Sequence, residues 1–157
     1  MSVKGQVLSF DFIVASSIFL LFVGILFVYW IYSNVQMEET QRMNDMIDKT
    51  YLASQVWFRE GTPPDWDSTN VIDLGLQSAH RFNQSKMDIM NISLGYGRTK
   101  TLIGLGGYEY FFRIYNSTND TIFNFGLYSS NPENLVKIKR VGILNGSLVT
   151  LEVMTWV

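Results

Sequence analysis

The chain has 157 residues, enough for one ordinary domain and cramped for two. A net charge of -2 provides no basic field that would draw nucleic acid non-specifically, so nucleic acid is not an expected partner. The absence of cysteine excludes disulfides and thiolate metal sites, and a single histidine, His80, leaves the usual inventory of metal ligands and general bases almost empty.

Hydrophobic residues make up 47% of the chain and charged residues 17%, but these averages hide an asymmetry between the first 36 residues and the rest. From Phe12 to Tyr32 there are 21 residues without a charge, rich in Ile, Leu, Phe and Val. As a helix this stretch spans roughly 31 Å, the thickness of a bilayer core. Apolar side chains cover all sides of it, whereas a helix on the surface of a globular core keeps a polar face. Tyr29, Trp30 and Tyr32 cluster at its far end, where rings with a polar handle favour the membrane interface. Lys4 precedes the span and Glu38 and Glu39 follow it, which predicts a cytoplasmic amino terminus and an outward-facing remainder. The span is too long for the apolar region of a secretory signal, and bulky VYWIYS stands where small residues should mark a cleavage site. Asp11 is the one carboxylate at the entrance to the span.

The next stretch, to about Glu60, has no proline and no interior glycine. It repeats apolar or small residues at helical spacing: Met43, Met46, Ile47, Thr50, Ala53, Ser54 and Trp57. One helix over about residues 8–60 is predicted, greasy in its first half and amphipathic in its second, with Gly61, Thr62, Pro63 and Pro64 as the stop. Beyond the prolines, Val71 to Leu76 reads as a brief strand, Asn83 as the N-cap of a short helix carrying Met87 and Met90, and Leu94 to Ile103 as another helical turn or two. From Tyr108 onward four aromatic and β-branched runs follow, YEYFFRIY, TIFNFGLY, LVKIKRVGIL and SLVTLEVMTWV. Asn145-Gly146 joins the last two as a type I′ hairpin. The expected fold is α+β: a long amino-terminal helix on an antiparallel meander of about four strands.

No catalytic constellation emerges. His80 has no second histidine beside it, Gly104 to Gly107 lacks the Lys-Ser/Thr of a phosphate loop, and Asp65, Asp67 and Asp73 lack the spacing of an EF-hand. Met37, Met43 and Met46 read as packing residues. The chain is therefore read as non-enzymatic, with no catalytic residue, cofactor or metal. Five Asn-x-Ser/Thr sequons stand at Asn83, Asn91, Asn116, Asn119 and Asn145, all on the side predicted to face outward. From 11 Asn and 24 Ser plus Thr about 1.7 are expected by chance, so N-glycosylation of the outer part is a reasonable expectation.

The leader Lys4-Gly5-Gln6, with Ser9 and Asp11 after it and a hydrophobic helix behind, resembles the class III signal peptide of archaeal type IV pilin-like proteins. Ser9 and Asp11 stand one position later than in the commonest form of that pattern, as if one residue were inserted at Val7-Leu8. The stretches GTPPDW, NVIDLGL, GYEYFFRI and LNGSLVTLEVMTWV also resemble those of archaeal membrane-anchored pilin-like proteins. The resemblance implies a leader of residues 1–5 cut between Gly5 and Gln6 by a prepilin peptidase, a membrane and assembly helix over 6–36, and an extracellular pilin-like domain over 37–157. It implies a subunit of a cell-surface filament or of its assembly and secretion platform, with other pilin-like subunits as partners. Asp11 would then be the carboxylate that pairs with an incoming subunit's new amine. The competing expectation is a single-pass surface glycoprotein that anchors an outer binding domain and never polymerises.

Overall fold

A computed structural model describes the backbone of residues 4–157 and the side chains of residues 10–157. Met1, Ser2 and Val3 of the expected leader lie outside the described residues. The chain divides into two compact units, Met1–Arg42 and Met43–Val157.

Helix α1 runs over Lys4–Val56. From Phe10 to Arg42 its side chains are exposed, apart from half-buried Ser16 and Asn34, and several polar groups bond within the helix itself. The Ser17 hydroxyl donates to the Ile13 carbonyl at 2.8 Å, and the Asn34 amide to the Trp30 carbonyl at 3.0 Å. Such back-bonding lets hydroxyl and amide groups sit on an apolar helix without a bare donor.

In the second unit the last turns of α1 bury a stripe of Met46, Thr50, Ala53 and Ser54, continued by Trp57. Ile47, expected in that stripe, is instead exposed. The stripe is half polar and is satisfied locally. Thr50 donates to the Met46 carbonyl at 2.6 Å and meets the hydroxyl of Thr155, and Ser54 accepts from Arg140 Nε at 2.8 Å. The helix ends at Val56, four residues before the expected Glu60. The chain returning from the Pro63-Pro64 turn captures that end: the Leu76 amide donates to the Trp57 carbonyl at 3.3 Å and the Gln77 amide to the Arg59 carbonyl at 2.9 Å. Gly75 lies so close to the Arg59 carbonyl that any β-carbon there would collide with it. Val71–Leu76 is consequently not a strand. Its one bridge is Thr62 to Asp73, its first amides bond within the preceding turn (Val71 to Asp67, Ile72 and Asp73 to Thr62), and only the Leu76 amide reaches the chain just past α1.

Asn83 caps α2 (Gln84–Ser93) as predicted, its side-chain oxygen accepting from the Lys86 amide at 3.3 Å. Met87 and Met90 point into the core. Loss of the cap in Asn83→Ala is expected to lower the stability of the protein by about 1 kcal/mol, measured by urea denaturation. Helix α3 (Tyr96–Leu102) follows, in the region where a short helix was expected. Gly104 to Gly107 forms turns.

The sheet has six strands, two more than expected: β1 (Gln77–Ser78), β2 (Arg81–Phe82), β3 (Glu109–Tyr115), β4 (Thr121–Gly126), β5 (Val136–Leu144) and β6 (Ser147–Trp156). Its order is β1-β2-β5-β6-β3-β4. Phe82 pairs in parallel with Leu144, so the sheet is mixed. The expected meander is also corrected, since β4 and β5 do not pair and β6 lies between β5 and β3. Burial explains the choice. Residues 151–156 of β6 are buried without a break, which suits the centre of a sheet, whereas β4 exposes Thr121, Ile122 and Asn124 and serves as an edge. The β5–β6 turn has the predicted residues, with Asn145 and Gly146 both at positive φ (51° and 80°), the backbone a type I′ turn requires.

One face of the sheet carries the core. Tyr110, Phe112 and Ile114 of β3 alternate inward with Val149, Leu151 and Val153 of β6, and Trp57 stacks on Phe112 at 4.4 Å between centroids. The other face presents Arg113, Lys137, Lys139 and Glu152.

Candidate functional sites: the apolar helix and the outer face of the sheet

Among the described residues the segment beginning at Phe10 is the one helix long and apolar enough to cross a membrane, and none of its most apolar window is buried. Phe19 is 65% exposed, Leu20 66% and Leu21 62%, three successive residues that point about 100° apart around the helix. An apolar surface of this extent is one that water does not tolerate on a monomer. Asp11 is exposed at the start of that segment. Lys4, Gly5 and Gln6 lie within α1, and their side chains fall outside the described residues.

The five sequons differ in what their asparagines already do. Asn116 is the most engaged. Its oxygen accepts from the Thr118 amide and hydroxyl (3.0 and 2.7 Å) and from the Asp120 amide (2.8 Å), and its nitrogen donates to Asp120 at 3.1 Å. Asn83 holds the α2 cap and Asn91 lies inside that helix. Asn119 and Asn145 stand exposed at turns with positive φ, where side chain and backbone are both reachable.

His80 sits exposed in the turn between β1 and β2, at φ 61°. Asp67 is committed to its own turn, accepting from the Thr69 amide and hydroxyl, both at 2.7 Å, and from the Asn70 amide at 3.1 Å. These bonds, that of the Thr69 hydroxyl foremost, lower its pKa. Among the described residues no three His, Asp or Glu side chains gather as metal ligands.

No protein-family model matches the chain, and no curated protein or solved structure matches it.

The most concentrated electrostatics lie on the outer face of the sheet. Cross-strand register places Glu152 of β6 directly between Arg113 of β3 and Lys139 of β5. Arg113 Nε lies 3.1 Å from Glu152 Oε1, Lys139 Nζ 3.1 Å from Oε2, and Lys137 Nζ 3.9 Å from Oε1. The carboxylate is 1% exposed. Burial pushes its pKa up, but the Lys139 hydrogen bond and the charges of Arg113, Lys137 and Lys139 outweigh burial and hold it below the ordinary value. The Tyr115 ring underlies the Arg113 guanidinium at 4.8 Å and Lys139 at 5.9 Å. Sequence reasoning missed this cluster. Its trace was there in the alternation of Lys137 and Lys139 along β5 and in a lone glutamate inside the apolar SLVTLEVMTWV, but strand pairing was needed to bring them together.

A second cluster locks α3 to β3. Tyr96 OH donates to Glu109 and accepts from the Tyr110 amide at 3.1 Å, while Lys100 Nζ lies 2.7 Å from the other Glu109 oxygen. Burial, with help from Glu109, pushes the Tyr96 hydroxyl up to about 12, so it remains a hydrogen-bond donor at neutral pH. Lys86 is similarly architectural. Its buried ammonium donates to the Gln77 carbonyl at 3.0 Å and to that of Glu60, tying α2 to the chain that closes α1.

Proposed function

We propose that the protein is a pilin-like, non-catalytic structural subunit of a cell-surface filament or of its assembly platform, anchored in the membrane by the apolar part of α1. The observation that carries this reading is the bare apolar surface from Phe10 onward, on the same helix whose last turns belong to the core of the second unit. Lipid covers such a surface in a monomer, and the equivalent helices of other copies cover it in a polymer. In this reading the leader is removed on the cytoplasmic side and the carboxyl-terminal unit faces outward, where Asn91, Asn119 and Asn145 are the exposed sequon asparagines and the last two stand on turns.

Asp11 distinguishes a subunit from a plain anchor. A carboxylate at the start of a spanning helix gains a modest interaction with the helix dipole, while inside a bundle it needs a cation, and cleavage after Gly5 frees one at Gln6. Expressed with a prepilin peptidase, the protein is expected to lose five residues, and Gly5→Val to retain them, by amino-terminal mass spectrometry. Met1 retained in the unaltered protein would remove the processing assignment. Asp11→Ala is expected to insert normally and to be lost from assembled material. Undiminished incorporation would reduce Asp11 to a helix-start charge and leave the non-polymerising anchor as the better description.

A further inference from the structure

The outer face of the sheet holds a half-open cleft of about 250 Å³, lined by Arg113, Lys137, Thr121, Asn124, Phe111 and Tyr128, with Glu152 beneath. Its charge is unbalanced. Among the described ion pairs Glu152 is the one acidic partner of Arg113, Lys137 and Lys139, so two positive charges are left without a counter-charge. Its hydrogen-bonding capacity is unspent too. Arg113 uses Nε on Glu152, and its two terminal nitrogens have no hydrogen bond among the described residues. Lys137 stands 3.9 Å from Glu152, attracted but beyond hydrogen-bond range, with its ammonium protons unengaged. The guanidinium is meanwhile held in place from one side by Glu152 and from beneath by Tyr115. A pre-positioned fork of two free N–H groups beside a point cation is the arrangement that receives a carboxylate.

The remainder of the cleft restricts what carries that carboxylate. Asn124 and Thr121, both exposed, offer donors and acceptors on one side. Phe111 and Tyr128, packed edge to face at 5.3 Å, form an aromatic wall on another. The volume is below that of pockets for drug-sized molecules, which start at roughly 300 Å³, and matches a single small ring. We propose that this cleft binds a carboxylated sugar ring of the uronic acid type. Its carboxylate lies on Arg113 and Lys137, its hydroxyls on Asn124 and Thr121, and a ring face against Tyr128. The site lies wholly in the second unit and does not depend on whether the protein polymerises.

The test is a titration of the full chain in detergent micelles with glucuronate, followed through the NMR signals of the Arg113 Nε–H and the Asn124 side-chain amide. Saturable shifts are expected, with glucose binding at least about ten-fold more weakly, the equivalent of 1.4 kcal/mol. Lys137→Gln leaves both hydrogen-bonded partners of Glu152 in place, so it is expected to weaken glucuronate about ten-fold with an unchanged melting temperature. Tyr128→Ala, at an exposed position, is expected to weaken it as well. Absence of saturable shifts, or an unaltered affinity in Lys137→Gln, would overturn the proposal. Glucose binding as tightly as glucuronate would overturn the role of the carboxylate. Acetate or inorganic phosphate binding as tightly would show a site that reads charge alone and would overturn the sugar.

Discussion

Trp57→Ala is expected to destabilise the carboxyl-terminal unit by about 4 kcal/mol. Trp57 is fully buried immediately after α1 and stacks on Phe112 at the middle of β3. Its carbonyl also receives the Leu76 amide, so the residue stands where helix end, returning chain and sheet meet. Removing the indole opens a cavity that these neighbours cannot fill without breaking that meeting point. Trp57→Phe separates the packing contribution from the polar one. The indole Nε1 is buried without a hydrogen-bond partner, and a phenyl ring discards that donor while keeping most of the contact. The Phe variant should therefore lose less than about 1.5 kcal/mol. Urea denaturation of the full chain in micelles, followed by near-ultraviolet circular dichroism, reads both values. Equal losses for Ala and Phe would mean that the site depends on the full width of the indole, which a phenyl ring does not fill.

Features encoded by neighbouring residues were legible in the sequence. The long helix, the Asn83 cap, the four long strands and the Asn145-Gly146 turn each follow from a local pattern: an uninterrupted apolar run, a capping residue, aromatic alternation, a turn dipeptide. Features set by distant residues were not. Val71–Leu76 has the composition of a strand, yet the Val71, Ile72 and Asp73 amides go to carbonyls of Asp67 and Thr62 in the preceding turn and the Leu76 amide to Trp57 just past α1, partners set only once the chain folds back. The order of the long strands depends on which hairpin edge is the more apolar over its whole length, and β6 won the centre over β4. Two-residue strands such as β1 and β2 are shorter than any period that could announce them. The outer-face cluster was half hidden: Lys139 and Glu152 face each other across the Asn145-Gly146 hairpin, but Arg113 joins them only through the pairing of β3 with β6, which no local pattern announces.

That cluster supports the second large expected effect. Glu152→Gln keeps the shape of the side chain and removes its charge, leaving Arg113, Lys137 and Lys139 to repel one another around a buried, uncharged amide. Breaking a fully buried ion pair costs about 3–5 kcal/mol. Here the cations are partly exposed, with Lys137 at 42% and Lys139 at 56%, and solvent screening brings the expectation at neutral pH down to about 2 kcal/mol. The pH dependence follows from the direction of the shift. Glu152 titrates lower in the folded protein than its ordinary 4.5, so the folded state binds fewer protons than the unfolded one in that range. Its contribution is complete above 4.5 and disappears as the pH falls through the lowered folded value. The gap between the unaltered protein and Glu152→Gln should accordingly be full at neutral pH and close in acid, once the wild-type carboxyl is itself protonated. Paired urea titrations at the two pH values measure it. A gap of equal size at both would assign the loss to packing around residue 152, and the three cations would then be held by the sheet alone. A gap that closes in acid shows instead that the carboxylate holds Arg113 in place, the condition under which its free edge stays pointed for a ligand.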